Sequence, residues 1–579
     1  MKNTPARFMR IAAAALALAL AVTLTRERAG AYVPPISILR IGMYYGGNTL
    51  TSANLQNVDG SGSGFEFGYF DQATREFISI GAVTYETRIT MMRDANMYYK
   101  SESGSSGVYV QEKVGDVVVG CFHVQLPGSF GDFNSADAVA RQYNGGFVKY
   151  DNGVFYACAG DYTTRAGAED ALASLGAGGS VTSGTQYTIA VAITGTGRVI
   201  FEFDCGTSHA LGVRPLASGA EKPMTWFKGL YYYGAFQYYR PSGEDLRVIN
   251  FVSVEDYLKG LLPAEMSNTW PIEALKAQAV TARTYAMGRL GAHGSNGFDM
   301  CTTDHCQVYQ GSRYANETTD RAVDETAGQY ITYNGEICET YYASSDGGAT
   351  EDVENVWAQP LPHLRGVIDP YEADVASRVS GYNWTVKYSP SELTARMRGR
   401  GYNCGTIVSL TVTQYTKNGN AYSVTMKDDN GRSWTFKKDD VRTTLGVNSI
   451  RLTIGGGTQP GAVEAFSGRV YANSGTAAQE LEMSGLYAVG GDGETQALPP
   501  ETLYAINGSG ETVEVGASTV GSVKTESSAD GKIDGKFTIS GTGKGHNVGM
   551  SQWGAYAMAQ RGMTYLDIIH FYYTGVEIG

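Results

Sequence analysis

The stretch VEDYLKGLLPAEMSNTWPIEALKAQAVTARTYAM, residues 254–287, contains two consecutive helical patterns with a short break between them. Pro263 is expected to end the first helix, which places Glu265 just after the helix end. Pro271 suits the first turn of the second helix, which runs to about residue 290 with alanines along one face. The sequence therefore predicts an acidic residue at a helix end, followed by a helix that packs closely against its neighbours.

Polar residues with capping spacing mark the starts of two helices. Ser253 is followed by Asp256 at the spacing of a capping box, and Thr564 is followed in the same way by Asp567. Gly562 is positioned to end the helix that precedes Thr564. These signals predict helices that begin directly after Ser253 and Thr564.

Strand patterns dominate the rest of the chain. Apolar and polar residues alternate from 38 to 100, with Gly and Asn at the breaks, which predicts a small β module. Further strands lie in a C-terminal region from 185 to 579, where the Gly-rich section 455–535 is typical of an inserted β subdomain. We therefore predict a β-rich, multidomain α+β protein.

The composition favours folded domains and argues against nucleic acid as a partner. The chain has 579 residues, of which 42% are hydrophobic and 18% charged, so it can form several domains with apolar cores. Asp and Glu total 58 against 45 for Lys and Arg, and the net charge of −13 removes the general attraction to phosphate backbones. A neutral polymer such as a glycan, contacted by some of the 39 tyrosines, remains a suitable partner.

The N-terminus has the order of an export signal. Three basic residues precede an apolar run at 11–24, and small residues at 29–31 offer a cleavage site. We expect residues 1–31 to be a signal peptide, with an uncleaved N-terminal anchor as the alternative. In both cases the remainder of the chain is expected to be extracytoplasmic.

Between 105 and 178 the chain shows strand, turn and helix patterns twice, separated by a further strand. The repeat has the size of a split-βαβ domain. Its segments FHVQLPGSF (122–130) and FYACAGDYTTRAGAEDALASL (155–175) resemble the SPOR family. This resemblance implies binding of peptidoglycan glycan strands that lack stem peptides. A ferredoxin-like module without a ligand is the alternative.

Three further segments follow residues 254–287: CTTDHCQVYQG (301–311), YYASSDGGATEDVENVW (341–357) and GKGHNVGMSQWGAYAMAQRGMTYLDIIHFYYTG (543–575). Together the four segments resemble the stage II sporulation protein D and amidase-enhancer family, SpoIID/LytB. The resemblance implies a SpoIID-type catalytic domain and an extracytoplasmic lytic transglycosylase that cuts peptidoglycan glycan strands, often beside a cell-wall amidase that first strips their peptides. The predicted partners are therefore denuded glycan strands and such an amidase.

Hydrolytic glycosidases generally need two carboxylates, whereas a lytic transglycosylase needs only one. The sugar's own 6-hydroxyl attacks the anomeric carbon, so one acid can protonate the leaving oxygen and then accept the hydroxyl proton. Glu265 matches the family's catalytic glutamate, and its apolar neighbours Met266 and Trp270 favour the protonated acid. Arg283 matches a second catalytic position, with a structural ion pair as the alternative.

The resemblance also implies a set of substrate-binding positions. They are Gln278, Gln307, Tyr309, Ser344, Ser345, His546, Ser551 and Gln552. Tyr309 also suits packing, and His546 also suits a loop histidine bonded to the Gly-rich backbone. Asp346 departs from the serine-rich run of the family, where it suits either a turn before two glycines or a second carboxylate.

Two cysteines with nearby histidines form a candidate metal site. Cys301 and Cys306, with His293 as the preferred third ligand and His305 as the alternative, make a reasonable set for Zn²⁺, which the resemblance also implies for some members. A disulfide between the two cysteines is the alternative in an oxidising compartment. Because the chain has seven cysteines, at least one thiol is free or binds metal.

Two other function classes stay open beside the enzyme. A catalytically idle family member would bind glycan and stimulate a partner amidase, and a structural wall protein would assemble through its β modules. Retention of Glu265 and Arg283 favours the enzyme. The sequence leaves open whether the role belongs to sporulation or to vegetative wall turnover.

Overall fold

The computed structural model describes residues 36–101, 107–357, 359–458 and 530–579, together with six short strands between 470 and 515. They form two compact units. The first contains the described residues up to Thr340 together with Glu577–Gly579, and the second is Tyr341–Val576. Both units are β-rich with helices, which confirms the predicted α+β class. The predicted signal segment 1–31 lies outside the described residues.

The α-helices of the described residues are α1 (Phe133–Ala140), α2 (Arg165–Leu175), α3 (Val254–Glu265), α4 (Ile272–Gly288), α5 (Glu317–Glu325), α6 (Pro390–Gly399), α7 (Asp439–Leu445), α8 (Gln552–Gln560) and α9 (Tyr565–Tyr572). Short 3₁₀ turns occur at Gly46–Asn48, Gly294–Asn296, Val353–Asn355 and Glu372–Arg378. In the described part of the chain, no helix is long and apolar enough to cross a membrane.

The strands of the first unit are β1 (Ile38–Tyr44), β2 (Ser52–Asn57), β3 (Gly62–Phe70), β4 (Phe77–Thr84), β5 (Arg88–Arg93), β6 (Met97–Lys100), β7 (Val108–Val110), β8 (Val118–Val119), β9 (Phe122–Gln125), β10 (Gly146–Asp151), β11 (Val154–Tyr162), β12 (Ser180–Ser183), β13 (Ile189–Ile193), β14 (Val199–Asp204), β15 (Leu211–Ala217), β16 (Thr225–Phe227), β17 (Leu230–Tyr232), β18 (Ala235–Tyr239), β19 (Arg247–Ser253), β20 (Met300–Cys301), β21 (Ile331–Tyr333), β22 (Glu336–Ile337) and, near the C-terminus, β38 (Glu577–Ile578).

A seven-stranded sheet of the first unit, in the order β20-β1-β19-β18-β15-β3-β4, supports the candidate site. β1 pairs antiparallel with β19 on one side and parallel with β20 on the other. β19 leads directly into α3, and β20 ends at Cys301. Strand β1 therefore fixes the start of α3 and the cysteine segment on its two sides.

A ten-stranded sheet, in the order β12-β9-β11-β10-β14-β13-β5-β2-β16-β17, contains the predicted SPOR-like region. Its first four strands alternate with α1 and α2 as strand, helix, strand, strand, helix, strand, the connectivity of a split-βαβ domain. Both helices pack on one face of these strands, and the other face packs against β6, β7 and β8. The SPOR assignment itself stays a prediction.

The predicted β module at 38–100 is not separate in the structure. β1, β3 and β4 belong to the seven-stranded sheet, and β2 and β5 belong to the ten-stranded sheet. The other members of these two sheets are strands that lie between 122 and 301. The predicted boundaries at 100 and 185 therefore cut through both sheets, because strand partners are chosen by tertiary packing and not by local pattern.

The capping prediction for α3 is confirmed, but the expectation for Pro263 is wrong. Ser253 Oγ accepts a hydrogen bond from the Asp256 N–H at 3.2 Å. Pro263 lies inside α3, and the Met266 N–H still bonds the Leu262 carbonyl at 2.9 Å. A proline in the last turn removes only one intrahelical donor, so the helix continues past it. Glu265 is therefore the last residue of α3.

The strands of the second unit are β23 (Tyr342–Ala343), β24 (Asn383–Tyr388), β25 (Ile407–Tyr415), β26 (Ala421–Asp428), β27 (Ser433–Lys437), β28 (Leu452–Ile454), β29 (Val470–Asn473), β30 (Ala478–Leu481), β31 (Tyr487–Val489), β32 (Thr495–Ala497), β33 (Leu503–Ile506), β34 (Thr512–Val515), β35 (Lys532–Ile533), β36 (Lys536–Thr542) and β37 (Met550–Ser551).

The core of the second unit lies between two small antiparallel sheets, β24-β36-β28 and β25-β26-β27, and helices α6 and α7. β23 pairs in parallel with β37, so the segments that begin at 341 and 543 meet. Most of the predicted insertion at 455–535 lies outside the described residues, which include only the antiparallel pairs β29-β30, β31-β32 and β33-β34 and the strand β35.

Candidate active site and metal centre

Glu265 ends α3 in a half-buried position. The next residue, Met266, is buried, and Trp270 is half-buried. The Glu265 carboxylate lies near Tyr257 on the same helix. Burial is the main cause that raises the pKa of the Tyr257 hydroxyl well above its usual value, and the charges of Tyr309 and Glu265 raise it further. The predicted acid thus lies between solvent and a buried phenol.

Tyr257 links α3 to the 307–311 segment. Its hydroxyl donates to Gln307 Oε1 at 3.0 Å, and its ring lies 4.8 Å from the ring of Tyr309. Gly260 permits this approach, because a Cβ atom there would come within 2.7 Å of the Gly311 carbonyl oxygen. Gln307 and Glu265 are therefore both close to Tyr257.

Tyr309 is a buried residue of the first unit. Its side chain is buried among aromatic rings, 5.7 Å from Tyr232 and 4.8 Å from Tyr257 between centroids. Its hydroxyl donates to Asn250 Oδ1 at 3.4 Å. These contacts are those of the packing alternative, and contact of Tyr309 with substrate stays a prediction.

Gln278 lies in α4, where nearly every side chain from Ala274 to Met287 is buried. It is fully buried itself, and neither atom of its amide has a hydrogen-bond partner among the described residues. Leaving a buried amide unpaired costs about 1–3 kcal/mol. Such a cost is typical of a position kept for function, and the predicted substrate role of Gln278 stays a prediction.

Arg283 makes contacts that hold helices of the first unit together. Its Nε and Nη2 atoms donate to the two carboxylate oxygens of Glu255, and Nη1 and Nη2 also donate to the carbonyls of Gln329 and Val323. Because the guanidinium is fully buried in these contacts, it holds α3, α4 and the end of α5 together. These contacts are those of the ion-pair alternative, and the predicted catalytic role of Arg283 stays a prediction.

The predicted metal ligands come together in the first unit. His293, Cys301, His305 and Cys306 each offer one ligand atom, and these atoms all lie within 4.8 Å of one another. His293 Nε2 is 3.3 Å from Cys306 Sγ, while His305 Nδ1 is 3.5 Å from Cys306 Sγ and 3.8 Å from Cys301 Sγ. Both histidines therefore join the cluster, where the sequence favoured His293 alone.

The donor set fits zinc. In a tetrahedral site with Zn–S near 2.3 Å and Zn–N near 2.1 Å, sulfur and nitrogen ligands lie about 3.6 Å apart, close to the distances in the cluster. Burial and the neighbouring His305 lower the pKa of His293, which favours the neutral imidazole that binds metal. Both cysteines are free thiols in the structure. Burial opposes ionisation of Cys301, but hydrogen bonds with Thr303, Cys306 and His305 lower its pKa to about 7.

The remaining predicted residues lie in the second unit, where β23 and β37 bring their segments together. The Ser344 carbonyl accepts the Trp553 N–H at 3.1 Å. Ser551 caps α8 by accepting the Gly554 N–H at 3.1 Å, and Gln552 begins that helix. Ser345 is fully buried. Capping thus explains Ser551 without a ligand, and contact of these residues with substrate stays a prediction.

His546 is bonded to the loop that carries it. Its Nδ1 accepts the Val548 N–H at 3.1 Å, and its ring lies 5.0 Å from the ring of Trp357. Burial, followed by the charge of Arg442, lowers the pKa of His546 to about 4. His546 is therefore neutral at neutral pH, as the loop-histidine alternative requires.

Tyr257 and Glu255 are residues of this site that the sequence reasoning missed. Both lie in the quoted 254–287 segment, on the helix that ends at Glu265. Tyr257 stands about two helical turns before Glu265, a spacing that puts the two side chains on neighbouring faces. Glu255 is an acidic residue in the first turn of α3, and the sequence alone indicates only a favourable interaction with the helix dipole at this position.

The first unit thus combines two features in one α+β unit: an acid at a helix end, and a thiol–imidazole cluster beside the same sheet. Residues 242–333, which contain both, match the SpoIID family, described as stage II sporulation protein. Over 355 residues the chain is 30% identical to an uncharacterized protein of Brachyspira hyodysenteriae, covering 60% of this chain and 73% of that protein.

Two named relatives are also similar. The chain is 31% identical over 330 residues to the amidase enhancer of Bacillus subtilis, covering 55% of this chain and 40% of that protein. It is 24% identical over 342 residues to stage II sporulation protein D of Bacillus amyloliquefaciens, covering 56% of this chain and 74% of that protein. The chain belongs to the stage II sporulation protein D and amidase-enhancer family, SpoIID/LytB.

Proposed function

We propose that this chain is an extracytoplasmic lytic transglycosylase that cleaves denuded glycan strands of peptidoglycan and leaves anhydro-sugar ends, as part of cell-wall remodelling. Family membership supports the setting, since relatives carry the names amidase enhancer and stage II sporulation protein D. Residues 105–178 would bind the same strands through the predicted SPOR-like domain. A cell-wall amidase that strips the peptides is the expected partner.

The position of Glu265 is the observation that carries this proposal. The carboxyl group ends α3, half-open to solvent, and lies near the buried Tyr257. Tyr257 is held in place by its hydrogen bond to Gln307. A rigid support of this kind keeps an acid in one orientation toward a bound glycosidic oxygen.

The proposed reaction requires two proton transfers by Glu265. In the first, the protonated carboxyl donates its proton to the glycosidic oxygen as the bond to the anomeric carbon breaks. In the second, the carboxylate accepts the proton of the 6-hydroxyl of the same muramic acid residue, whose oxygen closes the anhydro ring. The acid is regenerated, no water is consumed, and no second carboxylate is needed.

The proposal includes a structural zinc ion held by Cys301, Cys306, His293 and His305. Four ligands complete a tetrahedral site, so the ion would hold the 293–306 segment and leave no open position for a reacting water. The chain's own contribution is the preformed cluster beside β1, in which β20 fixes Cys301.

The proposal is tested by digestion of peptidoglycan with the purified full chain. Amidase-treated and intact sacculi are incubated with the wild type, with Glu265→Gln and with the matched variant Glu273→Gln, which alters a glutamate in the first turn of α4. Mass spectrometry of the soluble products should show anhydro-sugar ends, mainly from amidase-treated material. These products should fall by a factor of about 10²–10⁴ in Glu265→Gln and persist in Glu273→Gln.

A non-catalytic enhancer of a cell-wall amidase is the second candidate. The burial of Arg283 favours it, because one of the two predicted catalytic groups is engaged in an ion pair with Glu255. The same digestion decides between the two. An enhancer would yield no anhydro ends, would sediment with glycan equally well as wild type and as Glu265→Gln, and would accelerate peptide release by an added amidase.

A further inference from the structure

A buried cluster of three carboxyl groups lies in the second unit, formed by Asp346, Asp369 and Glu372. Their exposed fractions are 1%, 2% and 0%. One oxygen from each residue lies within 4.8 Å of the other two. Three ionised carboxylates this close in a dry interior repel one another strongly, so the cluster requires either protons or a bound positive charge.

Backbone N–H groups of the loop around Asp346 donate hydrogen bonds to the cluster, but two carboxylate oxygens of the cluster accept none from the described residues. Glu372 Oε2 accepts the N–H groups of Asp346 and Gly347 at 3.0 and 2.9 Å, and Asp346 Oδ1 accepts the Gly348 N–H at 2.7 Å. The last bond confirms the turn predicted for Asp346. Within the described ranges, Asp346 Oδ2 and Glu372 Oε1 have no hydrogen-bond partner.

A fully buried hydroxyl adds an independent observation. Ser345 is inaccessible to solvent, and its Oγ is also without a hydrogen-bond partner in the described part of the chain. Ser345 nevertheless points at Glu372: burial is the main cause that raises the pKa of that carboxyl group, and the polar side chain of Ser345 lowers it. An unpaired hydroxyl next to unpaired carboxylate oxygens is the arrangement expected of ligands around a shared ion.

The nearest buried cation does not satisfy the cluster. Arg451 is almost fully buried, and its charge acts on Asp346 and Glu372. Its N–H groups, however, donate to the carbonyls of Gly347 and Asn418 at 3.0 and 2.8 Å. Even with this cation counted, three ionised carboxylates leave an excess of two negative charges, which a divalent ion would neutralise.

A neighbouring glutamate shows how this unit pairs a buried carboxylate without an ion. Glu351 is also fully buried, and its two oxygens accept hydrogen bonds from the Asp352 N–H, Asn355, Thr416 and Asn420. Four donors fill the positions around that carboxylate. Burial alone therefore does not explain the unpaired oxygens of Asp346 and Glu372.

We propose that Asp346, Asp369 and Glu372, together with the Ser345 hydroxyl, bind one divalent cation, with Ca²⁺ preferred. Oxygen donors select hard cations, and carboxylate oxygens that all lie within 4.8 Å of one another are close enough to share one ion. Mg²⁺ usually keeps several waters, for which a closed site gives little room. The ion would tie the 345–348 loop to α9, because Tyr572 donates to Asp369 Oδ2 at 2.6 Å.

The test uses the full chain after EDTA treatment and exchange into metal-free buffer at neutral pH. Calorimetric titration with Ca²⁺ should give one site per chain, and about 1 mM Ca²⁺ should raise the melting temperature by roughly 3 °C or more, with a smaller shift for Mg²⁺. Asp346→Asn and Glu372→Gln should lose both responses, while the matched variant Glu351→Gln should keep them. The thiol–imidazole cluster does not interfere, because soft ligands bind Ca²⁺ poorly.

The wild type alone can overturn the proposal, whether or not the variants fold. If neither Ca²⁺ nor Mg²⁺ binds or shifts the melting temperature, the carboxyl groups share protons instead. The metal-free protein would then lose stability as the pH rises above about 4, the usual carboxyl range, because burial and mutual repulsion raise the pKa values of Asp346 and Asp369. A Ca²⁺ response that persists in both Asp346→Asn and Glu372→Gln would equally assign the ion to another site.

Discussion

Arg283 and Glu255 form a two-pronged ion pair, with Nε–Oε1 at 3.0 Å and Nη2–Oε2 at 2.7 Å. The partners are unequal: the arginine side chain is fully buried, whereas 32% of the glutamate side chain is exposed. Because the pair joins α3 to α4, it fixes the helix that ends at Glu265.

This asymmetry predicts unequal costs for removing the two partners. Glu255→Ala leaves a buried cation without its anion and should destabilise the first unit by about 3–5 kcal/mol. Arg283→Met should cost about 2 kcal/mol, because the remaining carboxylate can turn toward water. Urea unfolding followed by fluorescence measures both. Asp324→Ala, which removes an exposed partner of Lys259, should change little. Equal costs for the two substitutions would contradict the assignment.

The unpaired amide of Gln278 predicts that stability and activity respond in opposite directions. Gln278→Met removes two buried polar atoms without partners and should stabilise the first unit by about 1 kcal/mol. Release of anhydro-sugar ends should fall at least about tenfold if the amide serves the reaction. Asn250→Leu is the matched control, since that buried amide is fully paired with Tyr233, Ala235 and Tyr309 and its loss should destabilise. A stabilised Gln278→Met with full activity would show that the amide has no role in cleavage.

Local signals in the sequence predicted the elements around the site well. Ser253 caps α3, and Thr564 with Asp567 forms the capping box of α9. Helix capping depends on residues within one turn of each other, so it can be predicted from the local sequence. Pro263 misled the prediction because the effect of a proline depends on how many turns of helix remain after it.

The sequence did not indicate which distant strands and side chains pair with one another. The strands from 38 to 100 read as one module, yet β1 to β5 enter two sheets whose other members come from 122 to 301. The partner of Arg283 and the carboxylates that join Asp346 are likewise set by contacts between distant segments. Asp369 and Glu372 lie in a stretch without a recognised motif, so nothing in its pattern marked them.

His546 predicts a specific acid sensitivity of the second unit. The pKa of His546 is lowered to about 4, mainly by burial, whereas an unfolded histidine titrates near 6.5. Between these values the unfolded chain binds a proton that the folded chain does not, so stability is lost as the pH falls from about 6.5 to 4. His546→Gln removes this contribution while other titrating groups stay the same. The melting temperature of the wild type should therefore fall more than that of His546→Gln over this range, and parallel curves would contradict the lowered pKa.

The thiol–imidazole cluster predicts one zinc ion per chain. Metal analysis of protein purified without chelator should find it, and Cys301→Ser or Cys306→Ser should lose it and lower the melting temperature, because a structural ion contributes its binding energy to folding. Cys338→Ser is the matched control: this buried thiol of the first unit lies outside the cluster and bonds only weakly, to the Ile331 carbonyl at 3.5 Å. It should keep the metal.

Thiol titration in denaturant with EDTA then separates zinc from the disulfide alternative. A zinc site releases both cysteines, so all seven thiols of the chain should react. A disulfide would leave two fewer reactive thiols and no bound metal. In that case Cys301 and Cys306 would be bonded to each other. The ring nitrogens of His293 and His305, at 3.3–3.8 Å from the sulfur atoms, would then contact a disulfide and would not share a metal ion with the cysteines.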